Sequence, residues 1–470
     1  MRKRLAALLT RWQWVLLFVA APFLLFPSPR NSLALLVVPI LWITAWLIAK
    51  EPLPKTPVML PLLLMAVMVL VSEFATFDIT YSLPKIAGMV LGLGMFYTLV
   101  YSARAEKGIG VGLGLFLATG VGIAGLGLLG TSWFDKIAFL QPVVTRLPAA
   151  IRGLPGAESG FHPNEVAGAL LWVFPVLLGL LVLIFTRKGR AERQHLVWKV
   201  AGLGLLLMTA LVGGVFILTQ SRTAFMALAL AFLLVPGVLL AHKWRWVYLI
   251  SMAILVIGLV VTAWQLGWAQ NLYASTSAGD NSAYTLDTLN GRVEIWSQAI
   301  DGIQDFPVTG MGMNVFRKAI HALYPLFSIG PGTDIGHAHD EFLTAALDLG
   351  LPGLVAFLSL YLVSFWMLAR VWRRSGDLAR LELAENRGSI LGSPAATRAL
   401  VLGLGGGLLA HAIYGIADTV ALGAKPGILF WMLLGLIAGL YARYNDYTSR
   451  SGVGLSNQSS SEGQDPMGAK

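Results

Sequence analysis

The segment His337-Ala338-His339-Asp340-Glu341 packs two imidazoles and two carboxylates into five positions. Imidazole titrates near neutrality and is the natural group to take a proton from a hydroxyl. Three readings stand for the cluster. The first is a catalytic base at His339, with His337 and Asp340 beside it. The second is a metal site, because His-x-His with carboxylates suits zinc or manganese. The third is a helix N-terminus whose histidines face water. Metal hydrolases of this pattern need further spaced ligands on strands, which the sequence does not show, so no metal and no cofactor is assigned. The chain has no cysteine, which removes disulfides, thiolate nucleophiles and Cys-ligated metals.

Two arginines offer the complementary chemistry. Arg222 closes the tight turn Thr219-Gln220-Ser221-Arg222 between two apolar runs. Ser221 is placed to cap the following helix, which sets free N–H groups and a positive dipole end beside a guanidinium. That arrangement suits a phosphate; it equally suits an interfacial arginine reaching lipid headgroups. Arg292 heads an amphipathic stretch with Trp296 one turn on, as a second anion ligand or as a solvated residue of the polar face. Asp78, Lys85 and Asp418 are further charges at the same ends of their helices. Each reads first as structural, and Lys85 and Asp418 remain secondary site candidates. The loop Gly160 to Glu165 ends in Asn164, read as a helix cap and also kept as a secondary candidate. His411 reads as a satisfied residue inside a bundle. Gly310-Met311-Gly312 matches part of a dinucleotide fingerprint but follows no strand, and reads as a tight turn.

The elements that must carry these groups are membrane spans. Of 470 residues, 56% are hydrophobic and 12% charged, against about 25% charged in soluble domains. The mean hydropathy is +0.72. Apolar runs of roughly 20 residues, the length that crosses a ~30 Å hydrocarbon layer, fall near 12–29, 32–49, 56–72, 83–102, 108–130, 165–186, 197–219, 222–241, 246–266, 352–372, 399–420 and 426–443. The expected fold is therefore all-α and polytopic, with about 12 transmembrane helices and both termini on one side. The basic start Arg2-Lys3-Arg4 and the long run after it read as an uncleaved first span. The net charge of +10 forms no continuous stripe, which argues against nucleic acid. Most of the Lys and Arg fall in alternate short loops, placing both termini in the cytoplasm.

Two outer loops, 131–164 and 267–351, are too long to be simple connectors. The second opens with a polar stretch from Tyr273 to Asn290 that reads as a mobile loop. It then becomes periodic, predicting a surface-lying amphipathic helix over 292–304 and another helix from near His339. The tail 448–470 is Ser/Gly-rich, polar and expected to be disordered in the cytoplasm, leaving 1–447 as the membrane domain.

Taken in order, several of these pieces resemble the O-antigen ligase and O-antigen polymerase superfamily of membrane glycosyltransferases. They are Phe161-His162-Pro163-Asn164, Ser221-Arg222, Gly291-Arg292-Val293-Glu294-Ile295-Trp296, the run Asp305 to Phe316, His337 to Leu343, and Leu349-Gly350-Leu351-Pro352-Gly353. The resemblance covers 160–355 closely and the other spans by architecture, and it implies a GT-C-like fold. It implies a glycan passed from an undecaprenyl-diphosphate carrier to a lipid or glycan acceptor hydroxyl, without a metal, on the periplasmic face of a bacterial inner membrane. The family's two functional arginines match Arg222 and Arg292, and its histidine matches His339. The family usually has Asn after that histidine, and in this chain Asp340 stands there.

The chemistry read from the residues agrees. A departing lipid diphosphate gathers negative charge, which two guanidiniums and a helix N-terminus stabilise by on the order of a few kcal/mol. In-line attack by an acceptor deprotonated at a histidine inverts the anomeric centre. Ligase and polymerase differ in the acceptor, and the long second outer loop favours ligase. From another class, a transporter or flippase of lipid-linked sugars would show charged or broken helices near the midplane and inverted repeats; the sequence shows neither.

Overall fold

The computed structural model describes residues 2–459 apart from most of 41–54, the stretches 104–107, 134–135, 154–159, 187–191, 240–243, 255–288 and 377–392, and positions 29, 31, 149, 328 and 331. Among the described residues the chain is helical throughout, with one isolated backbone bridge between Thr131 and Phe161. The helices are α1 (Arg2–Leu25), α2 (Met59–Ala75), α3 (Ile79–Ala103), α4 (Gly108–Gly130), α5 (Pro163–Thr186), α6 (Glu192–Leu218), α7 (Arg222–Leu239), α8 (Leu289–Asp305), α9 (Phe316–Leu323), α10 (Glu341–Arg373), α11 (Pro394–Tyr414) and α12 (Ile428–Ser459).

Among the described residues seven helices are long and apolar enough to cross a membrane: Ile79–Ala103, Gly108–Gly130, Pro163–Phe185, Lys199–Leu218, Glu341–Arg373, Pro394–Tyr414 and Lys425–Asn445. Trp14–Leu25, Met59–Ala75 and Arg222–Val235 are apolar but shorter. The expected span near 32–49 opens with the short 3-10 helix Ser32–Leu36 and is described continuously only as far as residue 40. Residues 255–266 of the expected span near 246–266 and the polar stretch from Tyr273 up to position 288 lie outside the described residues. α12 runs through Thr448, the expected start of the polar tail, and 460–470 lie outside the described residues.

The bundle is held by close helix contacts. α5 packs along α11, α12 along α3, and α10 against α2. Small residues allow the approach: a methyl added at Gly407 would lie 2.6 Å from the Trp172 carbonyl oxygen, and one at Gly403 2.8 Å from Val176 Cα. With no hydrophobic effect between lipid-facing helices, such backbone proximity supplies dispersion contact. The same contact fixes the ends of α5 and α11 relative to each other, and Tyr414 ties them by donating to the Asn164 carbonyl at 2.7 Å.

The second outer loop builds a small core of its own. Ile295 and Ala299 of α8 pack with Met311, Phe316, Ile320, Tyr324, Ala338 and Leu347. Amphipathic periodicity predicts 292–304 as helix, and α8 covers it. The helix expected from His339 and the span expected at 352–372 join as α10, with a break at Gly350, whose φ is 71°. There Leu351 N–H donates to the Pro307 carbonyl at 2.8 Å, and Met311 N–H to the Leu347 carbonyl at 2.7 Å. The break thus seats the Asp305–Phe316 loop on α10. A methyl at Gly350 would sit 2.2 Å from the Val308 carbonyl oxygen, at φ 71° and ψ 176°, a backbone region essentially reserved for glycine that costs an L-residue on the order of 1–3 kcal/mol. Gly350→Ala is therefore expected to lower the thermal unfolding temperature of the detergent-purified chain by several degrees. Gly110→Ala, where nothing lies within 4 Å, is expected not to lower it.

Candidate active site

Asp418, in the turn after α11, joins the two groups that sequence chemistry singled out. Its Oδ2 lies 3.1 Å from Arg292 Nη2 and its Oδ1 3.4 Å from His339 Nδ1. Arg292 Nη1 also donates to the Ala417 carbonyl. The three side chains come from the first turn of α8, the residue pair before α10 and the end of α11, so the contact closes three separate segments. All three are nearly buried. Burial opposes the charge on Asp418, but the close approach of His339 and the guanidinium of Arg292 outweigh it and hold the carboxyl at about 2.

His337 stands beside this pair. Its ring meets that of His339 edge-on, with centroids 4.5 Å apart, and its Nδ1 accepts from the His339 N–H at 3.2 Å. Desolvation first, and then the neighbouring His339, push the His337 imidazole well below its ordinary value, so it is neutral at pH 7. His339 itself has φ 50°, a left-handed conformation rare for a residue with a Cβ and characteristic of functional turns. Among the described residues, the other non-glycine positions with positive φ are Gln220, just before Ser221 and Arg222, and Asn314.

Asp340 has a different place from its neighbours. Its Oδ1 accepts from the Phe342 and Leu343 N–H groups, both at 2.8 Å, as the N-cap of α10. Asn and Asp serve equally well as N-caps, so the departure from the family's Asn keeps the local fold. It does not put a second carboxylate on the base.

Lys85 is drawn into an ion pair with Asp348 of α10 at 2.8 Å, and Asp348 Oδ1 accepts from Asn314 N–H at 2.9 Å. The lysine thus fastens α3 to the loop under the site, near enough to His337 to oppose its protonation. Asn164 is not the cap expected of it: α5 begins at Pro163, and Asn164 lies inside the first turn with its carbonyl bound by Tyr414. A proline supplies the preset φ for that start. Asp78 turns back on Thr80 at 2.8 and 2.6 Å, a local role.

Arg222 begins α7 and is exposed, and among the described residues its side chain has no ion-pair or hydrogen-bond partner. Ser221 Oγ lies 3.5 Å from the Ala224 N–H. Gln220 Oε1 accepts from the Lys136 and Ile137 N–H groups at 2.9 and 2.7 Å, which docks the first outer loop on this turn. Chain connectivity through α6 and α7 puts Arg222 at the same end of the bundle as α5's start and α10's start. The structure thus brings Arg292, His337, His339 and Asp418 into contact and sets Lys85 close by. Arg222, Asn164 and Asp340 lie outside that contact.

Ligand atoms of His337, His339 and Asp418 lie within 4.8 Å of one another, a spacing a metal ion could use. The Arg292 guanidinium already occupies one Asp418 oxygen, and its charge opposes a divalent cation there.

Residues 207–358 match the family model described as O-antigen ligase. Over that stretch the chain is similar to the O-antigen ligase family. No curated protein matches the chain. The matched region holds Arg222, Arg292, His337 and His339, whereas Lys85 and Asp418 lie outside it. What sequence reasoning missed is Asp418's partners, which sit 126 residues from it in the case of Arg292. Its one signal was a lone carboxylate at the outer end of an apolar run.

Removing the Asp418 charge leaves a buried guanidinium unpaired, a change that costs about 3–5 kcal/mol when a buried pair is broken on one side. Asp418→Asn is expected to lower the unfolding temperature measurably in detergent. Because the folded carboxyl titrates at about 2, below its ordinary 3.8, the wild-type contribution is complete above about pH 4 and is lost as pH falls from there toward 2. A stability difference between wild type and Asp418→Asn that stays constant over this interval would contradict the pairing.

Proposed function

We propose that this chain transfers a glycan from an undecaprenyl-diphosphate carrier to an acceptor hydroxyl at the outer face of the bacterial inner membrane, as an O-antigen ligase does. The observation that carries the proposal is the Asp418 carboxylate held between Arg292 and His339. It joins a proton acceptor to an anion-binding group in one buried constellation. Similarity to the O-antigen ligase family over residues 207–358 supports a lipid-linked glycan and a membrane setting.

Asp418 faces His339 Nδ1, so Nε2 is the nitrogen left for the acceptor. As the acceptor oxygen attacks the anomeric carbon, its proton passes to Nε2. The bond from that carbon to the phosphate oxygen breaks, and its electron pair leaves on the lipid diphosphate, inverting the centre. Asp418 stabilises the imidazolium formed, and the proton is then lost to water. This division of labour between base and orienting carboxylate is common to hydroxyl activation. Arg292 is fixed by Asp418 and the Ala417 carbonyl, and its Nε has no protein partner, leaving a donor for the diphosphate. Arg222, exposed at the N-terminus of α7, is placed to take the same anion from the lipid side. Both termini are assigned to the cytoplasm and this end of the bundle to the periplasm.

In the purified chain reconstituted with carrier-linked glycan and acceptor, Arg222→Ala, Arg292→Ala and His339→Ala are each expected to lower transfer at least about 100-fold. The proteins should still insert. EDTA should leave the wild-type rate unchanged, and product should form without an ion gradient. Wild-type rates in all three variants would overturn the mechanism, and lipid-linked glycan moved without product would make the chain a carrier. Comparing lipid A core with a second carrier-linked chain as acceptor separates ligase, the favoured reading, from polymerase.

A further inference from the structure

Behind the His339–Asp418 contact lies a second imidazole–carboxylate pair that the proposed mechanism does not use. Glu341 Oε2 is 3.3 Å from His411 Nδ1. The two pairs span the same helix ends in opposite sense. In the first, the α10 side supplies the imidazole and the α11 side the carboxylate; in the second, Glu341 comes from α10 and His411 from α11. Glu341 is two residues from His339 in sequence. The backbone reinforces the junction, for the Glu341 N–H donates to the Gly415 carbonyl at 2.7 Å.

Both members are enclosed: Glu341 is 3% exposed and His411 0%. His411 stacks on Trp172 of α5 with centroids 3.9 Å apart, and its Nδ1 lies 3.3 Å from the Tyr361 hydroxyl. Among the described residues, His411 Nε2 and Glu341 Oε2 have no hydrogen-bond partner. Ionisable groups within a membrane bundle are costly, and apolar residues of the same volume would pack there at least as well. Their presence points to specificity of position. The junction is also tight, since a methyl at Gly415 would lie 2.8 Å from Glu341 Oε2.

We propose that Glu341 and His411 are positioning residues, whose buried contact fixes the start of α10 against the end of α11 and so sets His339 against Asp418. The inference rests on the reading of His339 as the base, but the geometry it concerns can be measured without turnover. A His339 ring oriented by the Asp418 carboxylate 3.4 Å from its Nδ1 would carry its proton on Nδ1 and leave Nε2 free. A ring released from Asp418 shifts toward the Nε2–H tautomer preferred in water.

The test uses the full chain in detergent, with ¹⁵N-histidine NMR and the His339 signals assigned by their loss in His339→Gln. His411→Phe keeps the ring on Trp172 but removes both nitrogens. Gly415→Ala changes no polar group and presses on the Glu341 carboxylate. Glu341→Gln keeps the shape of the side chain in its contact with His411. The first two are expected to raise the Nε2–H fraction of His339 and to lower kcat about tenfold or more with donor KM unchanged. Glu341→Gln should stay near wild type in both. If His411→Phe fails to fold, Gly415→Ala decides the question. A role confined to stability would lower yield or unfolding temperature and leave the tautomer unchanged, and an unchanged tautomer in folded Gly415→Ala or His411→Phe overturns the proposal. Absence of transfer in the wild type would end the reading of function but leave the NMR result to judge this inference by itself.

Discussion

One carboxylate in low dielectric, balanced by a guanidinium on one oxygen and an imidazole on the other, is the interaction on which this end of the bundle depends. Asp418 would be costly to bury alone. Arg292 and His339 offset that cost, and in return each is held in one orientation. Because the three residues come from the ends of α8, α10 and α11, satisfying that charge also dictates how the second outer loop lies on the bundle. Structural requirement and chemical arrangement are the same contact.

A second buried charge pair repeats the logic one layer deeper. Lys85 and Asp348 join α3 to α10, and Asn314 uses the other Asp348 oxygen. The loop from Asp305 to Phe316 is thereby pinned between the Gly350 break and α3. The histidines preceding α10 stand on a helix whose start is capped by Asp340 and whose far side is seated on this loop. A site assembled from loop ends acquires in this way the rigidity that positioning a proton acceptor demands.

Much of this is legible in the sequence, and the limits have physical causes. Helix-length apolar runs reveal the bundle, since the bilayer admits few alternatives. The 3.6-residue periodicity around Trp296 reveals α8, and the cluster around His339 declares its chemistry by residue type. Contacts between distant segments leave no such trace. Nothing in the composition near Asp418 names Arg292 or His339 as its partners, and Lys85 lies 263 residues from Asp348. Asn164 misleads because Asn is a common cap, whereas the adjacent Pro163 starts the helix one residue earlier. Asp340 shows the reverse: a departure from the family pattern that looks chemical is a cap in which Asp replaces Asn at little cost. His411, read as a satisfied residue inside the bundle, is interior, but its Nε2 has no hydrogen-bond partner among the described residues. It carries no hint that Glu341 meets it, because the residues share no local spacing.

The central claim is that Asp418 acts through His339, and a double-mutant cycle on the transfer rate tests it most directly. Purified wild type, Asp418→Asn, His339→Gln and the double variant would be compared at saturating donor and acceptor. If the carboxylate serves to orient and charge-balance the imidazole, the double variant transfers no more slowly than His339→Gln alone. If instead the two losses multiply, Asp418 and His339 act independently, and the carboxylate is not the partner through which the base works.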